Sequence, residues 1–196
     1  MTQVRLAPGF PKAERSTAAR LYWQAFGAKL ARTLGPTNRA EAFFADCLDP
    51  AFALGATDGG RLVGLAGFKT AEGALTGGGW GDLARHYGQL GALWRAPLLS
   101  VLDRPVAPDT LLMDGLCVDA TQRGRGLGTR LLSAVKDLAA AKGLTRVRLD
   151  VIDSNPRARA LYERSGFVPC GTSDLGILAP IFGFRSATRM EACVTR

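Results

Sequence analysis

Histidine and closely spaced cysteines are scarce in this chain of 196 residues. The single histidine is His86, and the four cysteines stand apart from one another at Cys47, Cys117, Cys170 and Cys193. Zinc sites and disulfide frameworks need ligands or partners at short, recurring spacings. We therefore expect four free or buried thiols, no bound metal, and no nucleophilic cysteine–histidine pair.

Long apolar runs are also missing. The longest stretches without charge, such as residues 175–184, are interrupted by glycine or proline, whereas a bilayer-spanning helix needs about 20 apolar residues. The first ten residues contain no apolar segment of signal-peptide length. With 47% hydrophobic and 21% charged residues, the composition is typical of a folded globular chain. We expect one domain, located in the cytoplasm and not in a membrane.

The chain carries a net charge of +8 but has no basic tail. Each half of the sequence carries +4, while residues 122–164 alone hold ten basic and four acidic side chains, a local charge of +6. A basic surface binds nucleic acid, an anionic membrane or a polyanionic small molecule. Because there is no basic tail, nucleic acid is the less favoured partner.

The hydrophobic pattern predicts helices that alternate with strands. Residues 71–109 stand out, because a glycine run precedes two predicted helices and two prolines follow them. In chain order, the predicted elements are a strand at 4–7, helices at 13–34 and 37–47, a hairpin of strands 51–56 and 61–68, helices at 82–93 and 96–102, a strand at 111–118, a helix from 127 and a strand at 144–152.

A glycine-rich loop at residues 122–129 joins the strand at 111–118 to the helix that follows. Its glycines let backbone N–H groups converge, and the helix adds unpaired donors and the positive end of its dipole. This arrangement binds anions such as a pyrophosphate. Arg123, Arg125 and Arg130 add positive charge. The loop matches neither the P-loop nor the dinucleotide fingerprint, and glycines that only form a tight turn are the alternative explanation.

Two motifs resemble those of the GNAT superfamily, the GCN5-related N-acetyltransferases. Arg123, Gly126 and Gly128 fit the R-x-x-G-x-G pattern of its acyl-CoA-binding loop. The second motif, N-x-x-A-x-x-x-Y-x-x-x-G-F, is matched by Asn155, Ala158, Tyr162, Gly166 and Phe167. The whole stretch 112–171 resembles the core of that superfamily, and the two motifs at this separation make the resemblance specific.

The resemblance implies an α/β (α+β) fold in a single GNAT-like domain over residues 1–196. Its mixed, mostly antiparallel central sheet would be flanked by helices and splayed between strands 4 and 5, here the strands at 111–118 and 144–152. Residues 168–171 and 187–194 would form the closing hairpin. Two segments depart from the family pattern: the helical insertion at about 71–109 and the long link at 173–186.

The resemblance also implies that acetyl-CoA is the acyl donor. Backbone amides of the glycine loop would hold the CoA pyrophosphate, and the end of the preceding strand would pair with pantetheine. Asn155 would contact the cofactor, although capping of the next helix explains it equally well. The expected cofactor-binding residues are Leu116, Cys117, Val118, Arg123, Gly124, Arg125, Gly126, Leu127, Gly128, Thr129 and Asn155.

Two side chains are candidates for catalysis. Tyr162 matches the position of the usual general acid of the family, and the alternative is a tyrosine that packs in the core. Asp114 is a carboxylate inside an apolar strand, a position that is costly unless the group is paired or used. We expect Asp114 to accept the proton of the amine, and an ion pair with a nearby arginine is the alternative.

The function expected from these residues is an N-acetyltransferase that transfers an acetyl group from acetyl-CoA to a primary amine of a small molecule or peptide, by direct attack in a ternary complex. A non-catalytic acyl-CoA sensor and a basic nucleic-acid-associated domain are the alternatives. The acceptor and the length of the acyl group are not predicted. The insertion contains four aromatic residues: Trp80, His86, Tyr87 and Trp94. They form a lid over the acceptor, or they pack the insertion against its own domain or against a second copy in a homodimer.

Overall fold

The structure is a computed structural model that describes residues 4–194. Strands and helices are interspersed along this part of the chain. Its α-helices and strands, in order, are β1 (Arg5–Pro8), α1 (Arg15–Leu34), α2 (Thr37–Cys47), β2 (Ala53–Asp58), β3 (Arg61–Thr70), β4 (Gly73–Ala74), α3 (Trp80–Ser100), β5 (Thr110–Val118), α4 (Leu127–Ala141), β6 (Arg146–Ile152), α5 (Pro156–Arg164), β7 (Val168–Asp174), α6 (Ala179–Phe182) and β8 (Ser186–Cys193).

The strands form one eight-stranded sheet in the order β1-β2-β3-β5-β6-β8-β7, and β4 pairs with β3 outside this path. Neighbouring strands are antiparallel except β5 and β6, which are parallel and are connected through α4. A parallel pair requires such a crossover connection. The predicted mixed, mostly antiparallel sheet flanked by helices is confirmed, as is the closing hairpin of β7 and β8.

The parallel pair separates along its length. β5 and β6 pair only where Thr110, Leu111 and Leu112 lie beside Arg146–Arg148, although β5 continues to Val118. The splay predicted between the fourth and fifth strands of the family is therefore present. It lies between β5 and β6 here, because the short strand β4 shifts the numbering of the later strands by one. It leaves a gap in the middle of the sheet.

A β-bulge interrupts β5 at the start of this gap. Met113 pairs with Phe68 and Gly115 pairs with Gly67, so that Asp114 is the extra residue without a partner on β3. Bulges bend a strand and redirect a side chain. Asp114 therefore does not follow the regular alternation of side chains between the two faces of β5.

Helices cover both faces of the sheet. On one face, α1 and α2 enclose a core that includes Leu21, Phe44 and Leu65. On the other face, α4 packs through Leu131 and Val135. The buried positions of α4 recur at three- and four-residue steps, as its sequence predicts. Together these cores fix the position of β5, which lies between them.

The insertion differs in detail from its prediction. Two helices were expected at 82–93 and 96–102, but α3 begins at Trp80 and breaks at Gly88, whose φ is 74°. Glycine adopts this left-handed conformation without steric cost, and this explains why the break falls there. Pro97 lies within the second part of α3. In the described part of the chain, no helix combines the length and apolar character needed to cross a membrane.

Candidate active site

Two cavities meet where β5 and β6 separate. The splay cavity, of about 180 Å³, is lined by Met113 and Leu116 of β5, Leu149 and Ile152 of β6, and Tyr162 of α5. The helix cavity, of about 490 Å³, lies between α1, α2 and α3. Six residues line both cavities and mark their junction: Lys29, Lys69, Thr76, Leu102, Asp103 and Asp114.

Asp114 lies at this junction with a half-buried side chain. Its Oδ2 accepts hydrogen bonds from the Thr76 backbone N–H, at 3.1 Å, and from the Thr76 hydroxyl, at 2.6 Å. Among residues 4–194 no arginine forms an ion pair with it, so the structure does not show the ion-pair alternative. The carboxylate is held in place by two neutral donors.

Tyr162 lines the splay cavity from α5. Its ring makes an edge contact with Phe167, with 6.1 Å between ring centroids, so it also has a packing role. Burial raises the pKa of the phenol to about 12. The hydroxyl is therefore protonated at neutral pH and is available as a proton donor.

The glycine loop has the open backbone that an anion site requires. Gly124 and Gly126 both have φ of +76°, and a Cβ at either position would meet nothing within 4 Å. Gly126 is the N-cap of α4 and no side chain caps that helix. The first-turn N–H groups of Leu127, Gly128 and Thr129 therefore lack helical partners.

Gly128 serves a different purpose from Gly124 and Gly126. A Cβ at Gly128 would lie 3.1 Å from Cδ2 of Leu161, a residue of α5. The absence of a side chain here lets α4 approach α5 closely. Gly128 thus couples the loop to the helix that carries Tyr162.

Two of the predicted cofactor-binding residues have buried side chains. The Cys117 thiol lies in the core beneath α1, and burial raises its pKa above the usual value. Leu127 packs in the opposite core. Only the backbone of either residue is available to a ligand, which agrees with the main-chain role expected for both.

The arginines of the loop bind neutral groups. Arg123 donates to the Val118 carbonyl at 3.2 Å, and Arg130 donates to the Val4 carbonyl at 2.8 Å. Arg125 approaches Gln122 at 3.5 Å. Their charge is therefore not neutralised. Other basic residues of the 122–164 stretch form ion pairs instead: Lys142 with Glu72, Arg146 with Asp109, Arg148 with Asp150, and Arg159 with Glu163.

Asn155 caps α5. Its side-chain oxygen accepts a hydrogen bond from the Ala158 backbone N–H at 3.1 Å. This is the helix-capping role considered from the sequence. A contact with the cofactor stays a prediction.

The aromatic residues of the insertion divide into two groups. Tyr87 donates to the Leu34 carbonyl at 2.5 Å, and His86 Nε2 lies 2.9 Å from the Asp46 carboxylate. These two residues fasten α3 to α1 and α2. Trp80 and Trp94 are both exposed, at 47% and 44%. Of the four residues, only Trp80 lines the helix cavity.

The sequence reasoning missed Lys29, Lys69 and Thr76, which line both cavities. A signal for Lys29 was present, because it follows Tyr22 and Phe26 at helical spacing on the apolar face of α1. The contact of Thr76 with Asp114 joins positions 38 apart in the chain. No local pattern could have indicated that contact.

A match to known proteins covers both the glycine loop and the second motif. Residues 17–167 match the sequence profile of the Acetyltransferase (GNAT) family. The chain belongs to this family. The match extends from α1 to the end of the second motif, and it confirms the resemblance drawn from the two motifs.

Relatives of this GNAT protein are similar to it over part of their length. It is 52% identical to the mycothiol acetyltransferase of Beutenbergia cavernae over 54 residues, which are 28% of this chain and 18% of the relative. It is 36% identical to the L-2,4-diaminobutyric acid acetyltransferase of Nocardia farcinica over 59 residues, 30% of this chain and 31% of the relative. The GNAT chain thus matches less than a third of either relative.

Solved structures show the same fold over nearly the whole chain. The N-acetyltransferase of Staphylococcus aureus Mu50 superimposes with a TM-score of 0.67 at 14% identity, covering 96% of this chain and 100% of that one. At this identity, the likeness concerns the fold alone. That residues 71–109 are an insertion into the GNAT fold stays a prediction.

The GNAT family uses acetyl-CoA as donor, and the residues present fit that molecule. The gap between β5 and β6 is long enough for an extended arm, because β5 continues six residues beyond its last pairing with β6. The loop at its end has open space beside Gly124 and Gly126 and three unneutralised arginines. Among residues 4–194, no group of three or more His, Cys, Asp or Glu side chains is placed to hold a metal ion.

Proposed function

We propose that this GNAT chain is a single-domain N-acetyltransferase that transfers an acetyl group from acetyl-CoA to a primary amine of a small molecule or peptide, by direct attack in a ternary complex. The observation that carries the proposal is the junction of the two cavities. Asp114 borders both of them, and Tyr162 borders the splay cavity. A donor in one cavity and an acceptor in the other would meet between these two side chains.

The donor side is built mainly from backbone groups. The amides from Arg125 to Thr129 bind the pyrophosphate at the N-terminus of α4. The backbone of Leu116, Cys117 and Val118 pairs with the pantetheine arm as a neighbouring strand would, since β6 has moved away from this part of β5. Arg123 and Gly124 complete the loop.

Acetyl-CoA supplies an activated thioester. The chain has to accept a proton from the amine, stabilise the negative charge on the carbonyl oxygen and provide a proton to the sulfur. Asp114 accepts the first proton, directly or through a water. A backbone N–H of the bulged part of β5 stabilises the oxygen. Tyr162 donates its phenolic proton to the sulfur.

The acceptor enters through the helix cavity. Its volume of about 490 Å³ lies within the range of about 300–1,000 Å³ that is typical of small-molecule sites. Trp80 of the insertion lines this cavity. The insertion thereby contributes to the selection of the acceptor.

Thiol release from acetyl-CoA tests the proposal. The intact protein is incubated with acetyl-CoA and panels of amino acids, polyamines, aminoglycosides and peptides, and the acetylated product is identified by mass spectrometry. We expect amine-dependent thiol release, with an N-acetyl product. Binding of CoA without turnover on any amine would contradict it and favour an acyl-CoA sensor. The cytoplasmic location, a homodimer and the absence of a metal stay predictions.

A further inference from the structure

Six charged side chains line the two cavities, and four of them are paired with one another. Lys69 Nζ lies 2.6 Å from the Asp103 carboxylate, and Arg104 Nε lies 3.4 Å from the Asp150 carboxylate. The other two are Lys29 and Asp114. Neither forms an ion pair within 4.0 Å with any residue in the range 4–194. One free cation and one free anion therefore border the same junction.

The position of Lys29 is unusual for a lysine. It lies on the face of α1 that packs over β5, and its ammonium is 4.5 Å from the centroid of the Phe26 ring. The contact with the aromatic ring stabilises the charge of the ammonium only partly. Burial lowers the pKa of Lys29, while the negative charge of Asp114 opposes that shift. An ammonium in such a place is stabilised when an anion joins it.

Away from the junction, the wall of the helix cavity is mainly apolar, although Cys47, Ser100 and a run of three glycines also line it. Its aromatic residues come from α1, α2 and the start of α3: Tyr22, Phe43, Phe44 and Trp80. Leucines of α1 and α3 complete the wall. A ligand that fills this space has an apolar group at one end and polar groups at the junction.

We infer that the acceptor is an apolar amino acid, whose carboxylate binds Lys29 while its amino group lies beside Asp114. The inference rests on the proposed function, since it concerns the acceptor of that reaction. A free amino acid carries its ammonium and carboxylate on one carbon atom, so it presents two opposite charges close together. Its side group occupies the apolar part of the helix cavity. Lys29 is then a residue that determines specificity.

The test compares amino acids with their amides. Thiol release is measured with L-leucine, L-methionine, L-phenylalanine and L-tryptophan, and with the corresponding amides, which lack the carboxylate. Rates are expressed per concentration of neutral amine, because amidation lowers the pKa of the amino group. We expect kcat/KM to favour at least one free acid over its amide by about 10-fold or more, the range for a hydrogen bond to a charged group.

Variants assign that preference to Lys29. Lys29→Met removes the ammonium and keeps the length of the side chain; it should lower kcat/KM for the acid by about 10-fold or more and change that for the amide by less than about 3-fold. Lys29→Arg should retain part of the preference. Lys12→Met, at an exposed position outside both cavities, is the matched control and should behave as wild type. Thermal stabilisation by CoA verifies that each variant is folded.

The outcomes separate the two proposals. If amines are acetylated but acids and amides react equally well, or if Lys29→Met slows both equally, the role of Lys29 is wrong and the acetyltransferase proposal stands. If no amine is acetylated, both are wrong. If Lys29→Met does not fold, the preference of the wild type for the acid over the amide is compared with that of Lys29→Arg. Equal use of acid and amide by the wild type then overturns the inference.

Discussion

Tyr162 combines the contacts of a packing residue with the protonation state of a donor. Its ring contacts Phe167, and burial keeps the pKa of its hydroxyl at about 12. A phenol in water ionises near pH 10. The packing that raises the pKa therefore also holds the proton in place, so the two roles foreseen for this residue do not exclude each other.

Tyr162→Phe tests the catalytic role without removing the ring. We expect kcat to fall on the order of 100-fold, the contribution typical of a positioned general acid, because the sulfur loses its proton donor. The affinity for CoA, measured by calorimetry, should change by less than about 3-fold, since the ring still packs on Phe167. An unchanged kcat would remove Tyr162 from the mechanism.

Asp114 and Lys29 show what a sequence reveals about single residues. Asp114 stands out because it interrupts an apolar strand, and the structure places it at the junction of the cavities. The helical spacing of Lys29 after Tyr22 and Phe26 is only a weak signal, because lysine in a helix is usually exposed. Its partly buried position depends on β5 and on the insertion, which are distant in the chain.

Two glycines at the start of α4 have different structural roles. Gly126 provides a left-handed turn beside open space, and Gly128 provides close contact with Leu161. The sequence motif does not distinguish these tasks. Only the packing of α4 against α5 separates a glycine beside open space from one that allows two helices to approach.

Gly126→Val should abolish the thermal stabilisation that CoA produces. Valine at a φ of +76° costs roughly 1–2 kcal/mol or more, and its side chain occupies the open space beside the first turn of α4. Gly143→Val is the matched control, because Gly143 follows the other end of α4 with a φ of +72° and equally open surroundings.

Both variants should lose similar stability without ligand, and the control should keep its response to CoA. Differential scanning fluorimetry with and without CoA measures both effects. If Gly126→Val is stabilised by CoA as much as the control, the loop makes a turn and does not bind the cofactor.

The helices of the insertion were predicted, but the break between them was misplaced. Composition marks residues 71–109 as a separate segment, and helical periodicity within it is clear. The break was expected between residues 93 and 96, but it falls at Gly88, inside the first predicted helix. A sequence pattern does not show which glycine adopts a positive φ, since Gly91 nearby stays helical.

On the scale of the whole molecule, the two motifs predicted the sheet, the splay and the order of the elements. They could do so because they lie in the segment that surrounds the splay. The helix cavity was not predicted, since it is assembled from α1, α2 and α3, which pack through contacts between distant residues. The local charge of +6 was likewise only partly informative, because several of its arginines form ordinary ion pairs.

The three tyrosines of the chain make a prediction about the whole fold. Burial raises the pKa of Tyr87 and Tyr162 to about 12 and that of Tyr22 well above its usual value, where Asp114 adds to the effect. The folded protein should therefore show no tyrosinate absorbance near pH 10, whereas the protein in urea should ionise there.

The same shifts lower stability in alkali. Above pH 10 the unfolded chain releases phenolic protons that the folded chain keeps, so the free energy of unfolding falls as the pH rises from 10 towards 12. Chemical denaturation at several pH values measures this slope. An absorbance step near pH 10 in the folded protein would contradict the burial of these tyrosines.

The splay also gives the sheet a mechanical property. The strands β1, β2, β3 and β5 form one arm, and β6, β8 and β7 form the other, joined within the sheet by only three residue pairs at 110–112 and 146–148. From Leu112 to Val118, β5 extends about 20 Å. A rotation of about 3° at the joint therefore moves the far end by about 1 Å over that length. Leu111 is fully buried at this joint, so a small change of packing there is magnified at the far end of the gap.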